Sequence, residues 1–206
     1  MASAAGLCQG ADILSSVALA LLLTTALAIA GFLATSVQGF LLAARLTEAS
    51  PVARDLVGQH VRWAIPAVLL SLFSQSMVIF YFIGTGRLVK DEIARYSEPE
   101  RKSVLAALRR FKRQTSPAAT FSLLSAVGVF VLGGAVHTRA LPSWTHLAAS
   151  LAAVLLHVWA FGAEWKAFAE NNRLMGDPMR YARESKRGSN PALEPRSGRG
   201  GEGARG

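Results

Sequence analysis

The sequence has a single cysteine, Cys8, so no disulfide can close within the chain. Acidic residues are few, 13 Asp and Glu against 22 Lys and Arg, which leaves a net charge of +9 over 206 residues. Most telling is where charge is missing. Ile13 to Ala44 is 32 positions without Lys, Arg, Asp, Glu or His. Trp63–Thr85 and Ala118–Val136 are equally bare, and Leu147–Gly162 has His157 as its one ionisable residue. Such gaps exclude a disordered chain, a disulfide scaffold and an ordinary soluble domain. Catalytic signatures are absent too. There is no phosphate-binding glycine loop, no His-Glu-x-x-His, no paired-cysteine metal site and no Gly-x-Ser-x-Gly elbow.

What is present is enough apolar chain for four membrane crossings. About 20 apolar residues span the hydrocarbon core as a helix, and in lipid an unpaired backbone is too costly for any other single-segment structure. The expected fold is therefore all-α: an integral membrane four-helix bundle with crossings at 13–44, 62–85, 118–137 and 144–165. Trp144 and Trp165 mark the ends of the last, as interfacial aromatics do. The first run would extend about 48 Å as a helix, against a core of about 30 Å, so it must tilt, bend near Gly31 or emerge. Ser50-Pro51 is a good start for the next helix, which would be kinked near Pro66. Residues 13–47 and 51–86 thus read as a long first hairpin protruding on one side. The first twelve residues lack Lys and Arg, so no removable secretory signal is expected, and Cys8 reads as a free thiol.

Orientation follows from the basic residues. Eighteen of the 22 lie in the 87–117 connection or after the fourth run, and four lie in the other two connections. The positive-inside rule then puts the 87–117 loop and both termini in the cytoplasm of a bacterial-type inner membrane. Within that loop, Ser97-Glu98-Pro99-Glu100 has the pattern of a capping box. Val104, Leu108 and Phe111 follow on one helical face, with Arg101, Lys102, Arg109, Arg110, Lys112 and Arg113 around them. A basic amphipathic helix of this kind either lies in the lipid interface, its charges on anionic headgroups, or packs back on residues 87–96. Nucleic acid is not an expected partner, because membrane topology already explains the charge. From Gly176 on, Gly, Arg, Ser and Pro dominate, and 176–206 reads as a flexible basic tail with 186–206 disordered.

His157 is the candidate cofactor-binding residue. An ionisable group deep in a crossing suggests function by default, as a haem or quinone ligand or a proton-handling group. The alternative is a neutral histidine bonded to Ser71, Ser74 or Gln75, or to Thr35 or Gln38, on a neighbouring helix. Glu164, seven residues on, shares roughly its face. His60, His137 and His146 fall on the outer side and are a candidate metal set, though without a metal-ligand spacing. Apart from a haem at His157, no cofactor is expected. The function expected is that of a non-enzymatic subunit or accessory protein of a membrane assembly, contacting lipid, other subunits or a second copy of itself through small-residue faces such as Gly133-Gly134. Two other classes stay open: a haem- or quinone-linked redox protein using His157, and a small channel or carrier with Gln38, Gln75 and His157 along a polar path.

Overall fold

The computed structural model describes residues 4–45 and 51–189, with side chains for 13–43, 52 and 54–184. It is all helix among these residues: α1 (Ala4–Arg45), α2 (Pro51–Glu92), α3 (Glu98–His137), α4 (Ser143–Gly176) and α5 (Pro178–Ser189). α1 to α4 are each long and apolar enough to cross a membrane. At 1.5 Å per residue they run about 50–63 Å, so some 20–30 Å of each lies beyond a hydrocarbon core. α1 passes unbroken through Gly31, as α2 does through Pro66 and α3 through Pro117.

Short connections force the four helices to alternate in direction. Each packs on its sequence neighbour, and α1 closes the ring against α4, so α2 and α4 face each other across the bundle axis. Their buried positions repeat every seven residues. In α1 these are Ala18, Thr25 and Phe32 with Leu21, Ala28 and Thr35; in α3, Val104, Phe111 and Ala118. α4 has Ser150, His157, Glu164 and Asn171, interleaved with Ala153, Ala160, Ala167 and Leu174. A seven-residue repeat keeps one seam of a helix facing its partners, which is the geometry of antiparallel four-helix bundles. Alanine at three of the four interleaved positions lets α4 sit close to the axis.

The bundle is apolar outside and partly polar inside. Leu23, Leu27, Leu69, Phe80, Val131 and Leu155 are all 60% exposed or more, whereas Thr25, Gln75, His157, Glu164 and Asn171 are 0% exposed. In water that arrangement would leave far larger apolar patches exposed than soluble proteins carry; hydrocarbon removes the penalty. Exposed Trp63 and Trp144 stand towards one end and Trp165 towards the other, as interfacial belts do.

One end of the bundle, where α2 turns into α3, is basic. Tyr96 N–H bonds Ile93 O across a single 3₁₀ turn (Ile93–Arg95), and α3 then starts at once. Ser97 is its N-cap residue, but its hydroxyl bonds the Glu100 carboxylate at 2.6 Å and not a backbone N–H, so the Ser97 side of the expected capping box is not made. The segment 98–113 packs on neighbouring helices, the second of the two arrangements its pattern allows. It is the first part of α3, and its stripe of Val104, Ala107 and Phe111 is packed against Val89, Ile93, Leu174 and Ala182. Long helices on both sides offered this stripe a protein partner, so lipid is not needed to cover it. Arg101, Lys102, Arg109, Arg110, Lys112 and Arg113 stay exposed around it.

Beyond Gly176, in the first part of the expected tail, the chain forms a further helix. Asp177 Oδ1 accepts from Arg180 N–H at 2.9 Å, Pro178 opens the helix, and α5 lays Ala182 and Tyr181 on the basic-end core. Arg110 ties three helices together, pairing with Glu170 of α4 and reaching Tyr181 of α5. The expected disorder of 190–206, the Ser50 cap and the Cys8 thiol lie outside the described residues.

Candidate polar seam of the bundle interior

The seven-residue repeat stacks the polar side chains of α4 in layers about 10.5 Å apart. Because α2 lies opposite, each layer is completed across the axis. In the His157 layer, the Ser71 hydroxyl is 2.6 Å from Nε2 and the Ala153 carbonyl is 2.7 Å from Nδ1. A carbonyl only accepts, so Nδ1 carries the proton, and the neutral ring's Nε2 accepts from Ser71. Phe32 of α1 covers the ring, with centroids 4.8 Å apart. His157 is thus fully bonded without any ligand. An iron at Nε2 would have to displace Ser71, and His146, eleven residues away, is about 16 Å off along the helix. The geometry does not fit a haem held within one chain.

The next layer is unlike it. The Glu164 carboxyl is completely buried and faces Gln75 of α2 and Thr25 of α1. Gln75 and Thr25 reach towards the carboxyl as hydrogen-bond donors, but none of Glu164 Oε1 and Oε2, Gln75 Oε1 and Nε2, and Thr25 Oγ1 is in good hydrogen-bond geometry. No Lys, Arg or His among the described residues forms an ion pair with Glu164. An unpaired carboxylate taken out of water costs several kcal/mol. A carboxyl so placed costs far less with its charge neutralised, and Gln75 and Thr25 are the polar side chains beside it. In the third layer Asn171 Nδ2 donates to Tyr81 Oη at 3.2 Å, and that hydroxyl reaches Asn172 Oδ1 at 3.3 Å.

Apolar groups close the seam on either side. Phe32, Val68, Ala126 and Val154 form a plug on the side away from the basic end. Tyr81, Phe82 and Phe168 stack on the basic side, with ring centroids 4.9–5.3 Å apart. Beyond the plug lie two of the three candidate metal ligands. His60 and His146 meet edge to face at 6.2 Å, His60 over Gly39 and His146 over Gly133. A Cβ at Gly39 would stand 3.3 Å from the one ring, and at Gly133 3.1 Å from the other, so these glycines make room for the pair. His137, at the end of α3, does not join them: no cluster of three His, Cys, Asp or Glu forms among the described residues. Gln38, beside Gly39, has a buried Oε1 with no partner.

Compared with known protein families, curated proteins and solved structures, the chain matches none. Its chemistry has to be read from its own side chains. In the sequence Glu164 stands out only as a residue on roughly the face of His157, near the cytoplasmic boundary. The signal that would have raised it is the spacing 150, 157, 164, 171, which puts four polar residues on one seam of α4.

Proposed function

We propose that the chain is a non-enzymatic, multi-pass inner-membrane protein of the channel or carrier class, and that Glu164 is the group that takes up and releases a small cation, the proton first of all. The observation that carries this reading is a fully buried carboxyl facing two polar side chains with spare hydrogen-bonding capacity and no cationic partner. A structural carboxyl in such a place would be matched by Arg, Lys or a closed set of donors. The apolar plug of Phe32, Val68 and Val154 on one side and the aromatic stack on the other give the site the two closures that alternating or gated access requires. The basic end faces the cytoplasm in this reading, on the strength of the positive-inside bias.

The test is flux in proteoliposomes carrying a trapped pH dye, with sodium or potassium gradients as further arms. Wild-type protein should dissipate a proton gradient or exchange it for a metal ion, and Glu164→Gln should abolish this while the bundle stays folded. Absence of flux for every cation, or equal flux in Glu164→Gln, overturns the proposal.

A second reading, a subunit of a larger membrane assembly, is favoured by the open backbone of α3. A Cβ at Gly128 or Gly134 would meet nothing within 4 Å, leaving room for another helix. Gly128→Leu together with Gly134→Leu should then reduce the size of the purified particle; an unchanged size contradicts that reading.

A further inference from the structure

At the basic end, α2 and α3 diverge enough to leave a cleft of about 740 Å³, within the range of small-molecule sites. Its inner wall is apolar, with Ile79, Phe82, Ile83 and Leu105 among its residues. Its cations are Arg87 and Lys90 from α2 and Arg101, Arg109 and Lys112 from α3, and no Asp or Glu lines it. Arg101 is engaged by Glu98. Arg87, Lys90, Arg109 and Lys112 take part in no ion pair among the described residues. Of the acidic residues nearby, Glu92 pairs with Arg95 and Glu170 with Arg110, and Asp91 does not line the cleft.

The two chemistries are arranged along the cleft. Ile79 and Ile83 belong to the apolar part of α2, and Arg87 is the first charge after it. On α3 the order runs the other way, Arg109 and Lys112 preceding the apolar stretch that begins at Ala118. Four cations thus ring the place where both helices leave the hydrocarbon, directly above an apolar wall. A soluble anion would use the cations and leave the wall bare. A neutral chain would use the wall and leave the charges repelling one another.

We infer that the α2–α3 cleft binds one anionic phospholipid of the leaflet on the basic side, its acyl chains along Ile79, Phe82 and Ile83 and its phosphate among Arg87, Lys90, Arg109 and Lys112. Charge complementarity carries the choice of occupant: basic pockets between transmembrane helices take anionic headgroups, and lipid is the anionic amphiphile present at that depth. This differs from a helix lying on the membrane. The lipid enters between two helices, and the apolar stripe of α3 stays in the protein core.

Native mass spectrometry of the full-length protein in detergent tests it, with phosphatidylglycerol, phosphatidylcholine and inorganic phosphate as probes. One phosphatidylglycerol should be retained at least tenfold more strongly than phosphatidylcholine, and millimolar phosphate should not displace it. Arg109→Gln with Lys112→Gln, both exposed and without ion pairs, should weaken retention about tenfold with an unchanged thermal midpoint. Arg173→Gln with Arg183→Gln, outside the cleft, should leave it unchanged. Equal retention of both lipids would make the cleft a plain apolar groove. Displacement by phosphate would make it a simple anion pocket. Either result, or an unaffected Arg109→Gln/Lys112→Gln protein, overturns the inference.

Discussion

His157 and Glu164 are one heptad apart on the same seam, yet their surroundings differ. His157 has a partner for each ring nitrogen, and its hydroxyl donor Ser71 comes from across the axis. Ser71→Ala should strip Nε2 of its donor and cost about 1–3 kcal/mol, the penalty for an unmet buried acceptor. Ser71→Ala with His157→Leu should recover part of that loss, because neither polar partner then remains. Chemical unfolding in detergent reads both, and a double variant no better than the single would remove the bond from the account. Glu164→Gln should behave differently: it keeps the shape, removes the ionisable group and leaves stability equal or higher. A third position concerns the backbone alone. Arg139 sits at φ 60° in the α3–α4 turn, where a side chain costs about 1–2 kcal/mol relative to glycine. Arg139→Gly should raise the unfolding midpoint; a lowered one would show that the arginine side chain compensates.

At the scale of elements, the basic end shows where sequence pattern stops being decisive. The amphipathic stripe around Val104 and Phe111 is plain in the sequence, but a stripe does not state what covers it. Lipid and a neighbouring helix satisfy the same pattern. Here protein covers it: α2 and α4 are both long enough to extend past a hydrocarbon core, and Asp177-Pro178 starts a further helix whose Ala182 completes the cluster. Composition pointed to a tail there because Arg, Ser and Gly mask one buried alanine and one tyrosine. The consequence is measurable. Phe111 is 1% exposed, so Phe111→Ala should cost about 3–5 kcal/mol and expose the basic end to protease. An environment-sensitive label at Ala107, which packs into the basic-end core and does not line the α2–α3 cleft, should respond little to salt or to anionic lipid. A strongly salt-dependent signal would restore the surface-lying helix.

For the whole molecule, the apolar runs carried almost everything about architecture. Four gaps in the charge pattern gave four helices, because hydrocarbon tolerates no other single-segment backbone. Helix ends were harder, since α2 and α3 continue as charged, packed helices well beyond their apolar parts. The interior was hardest, because hydropathy averages over all faces of a helix while the bundle buries only one. Glu164 is followed by Trp165 and Lys166, both exposed, yet is itself fully enclosed. Orientation still rests on the positive charge. Reporter fusions after Tyr96 and Leu141 should report the cytoplasm and the outside respectively, and the reverse pattern would invert the topology.

The proposed function requires that a lipid-sheathed bundle hold one neutralised, exchangeable carboxyl at its core. Dicyclohexylcarbodiimide, an apolar reagent that attacks carboxyls in their protonated form, reads this on the intact protein in membranes. Peptide mass mapping should find the adduct on Glu164 ahead of the other Asp and Glu residues. Labelling should fall as the pH rises and the proton leaves, and sodium should protect the site if it competes for it. A protein labelled only on exposed acids, with Glu164 untouched at every pH, would contradict the account.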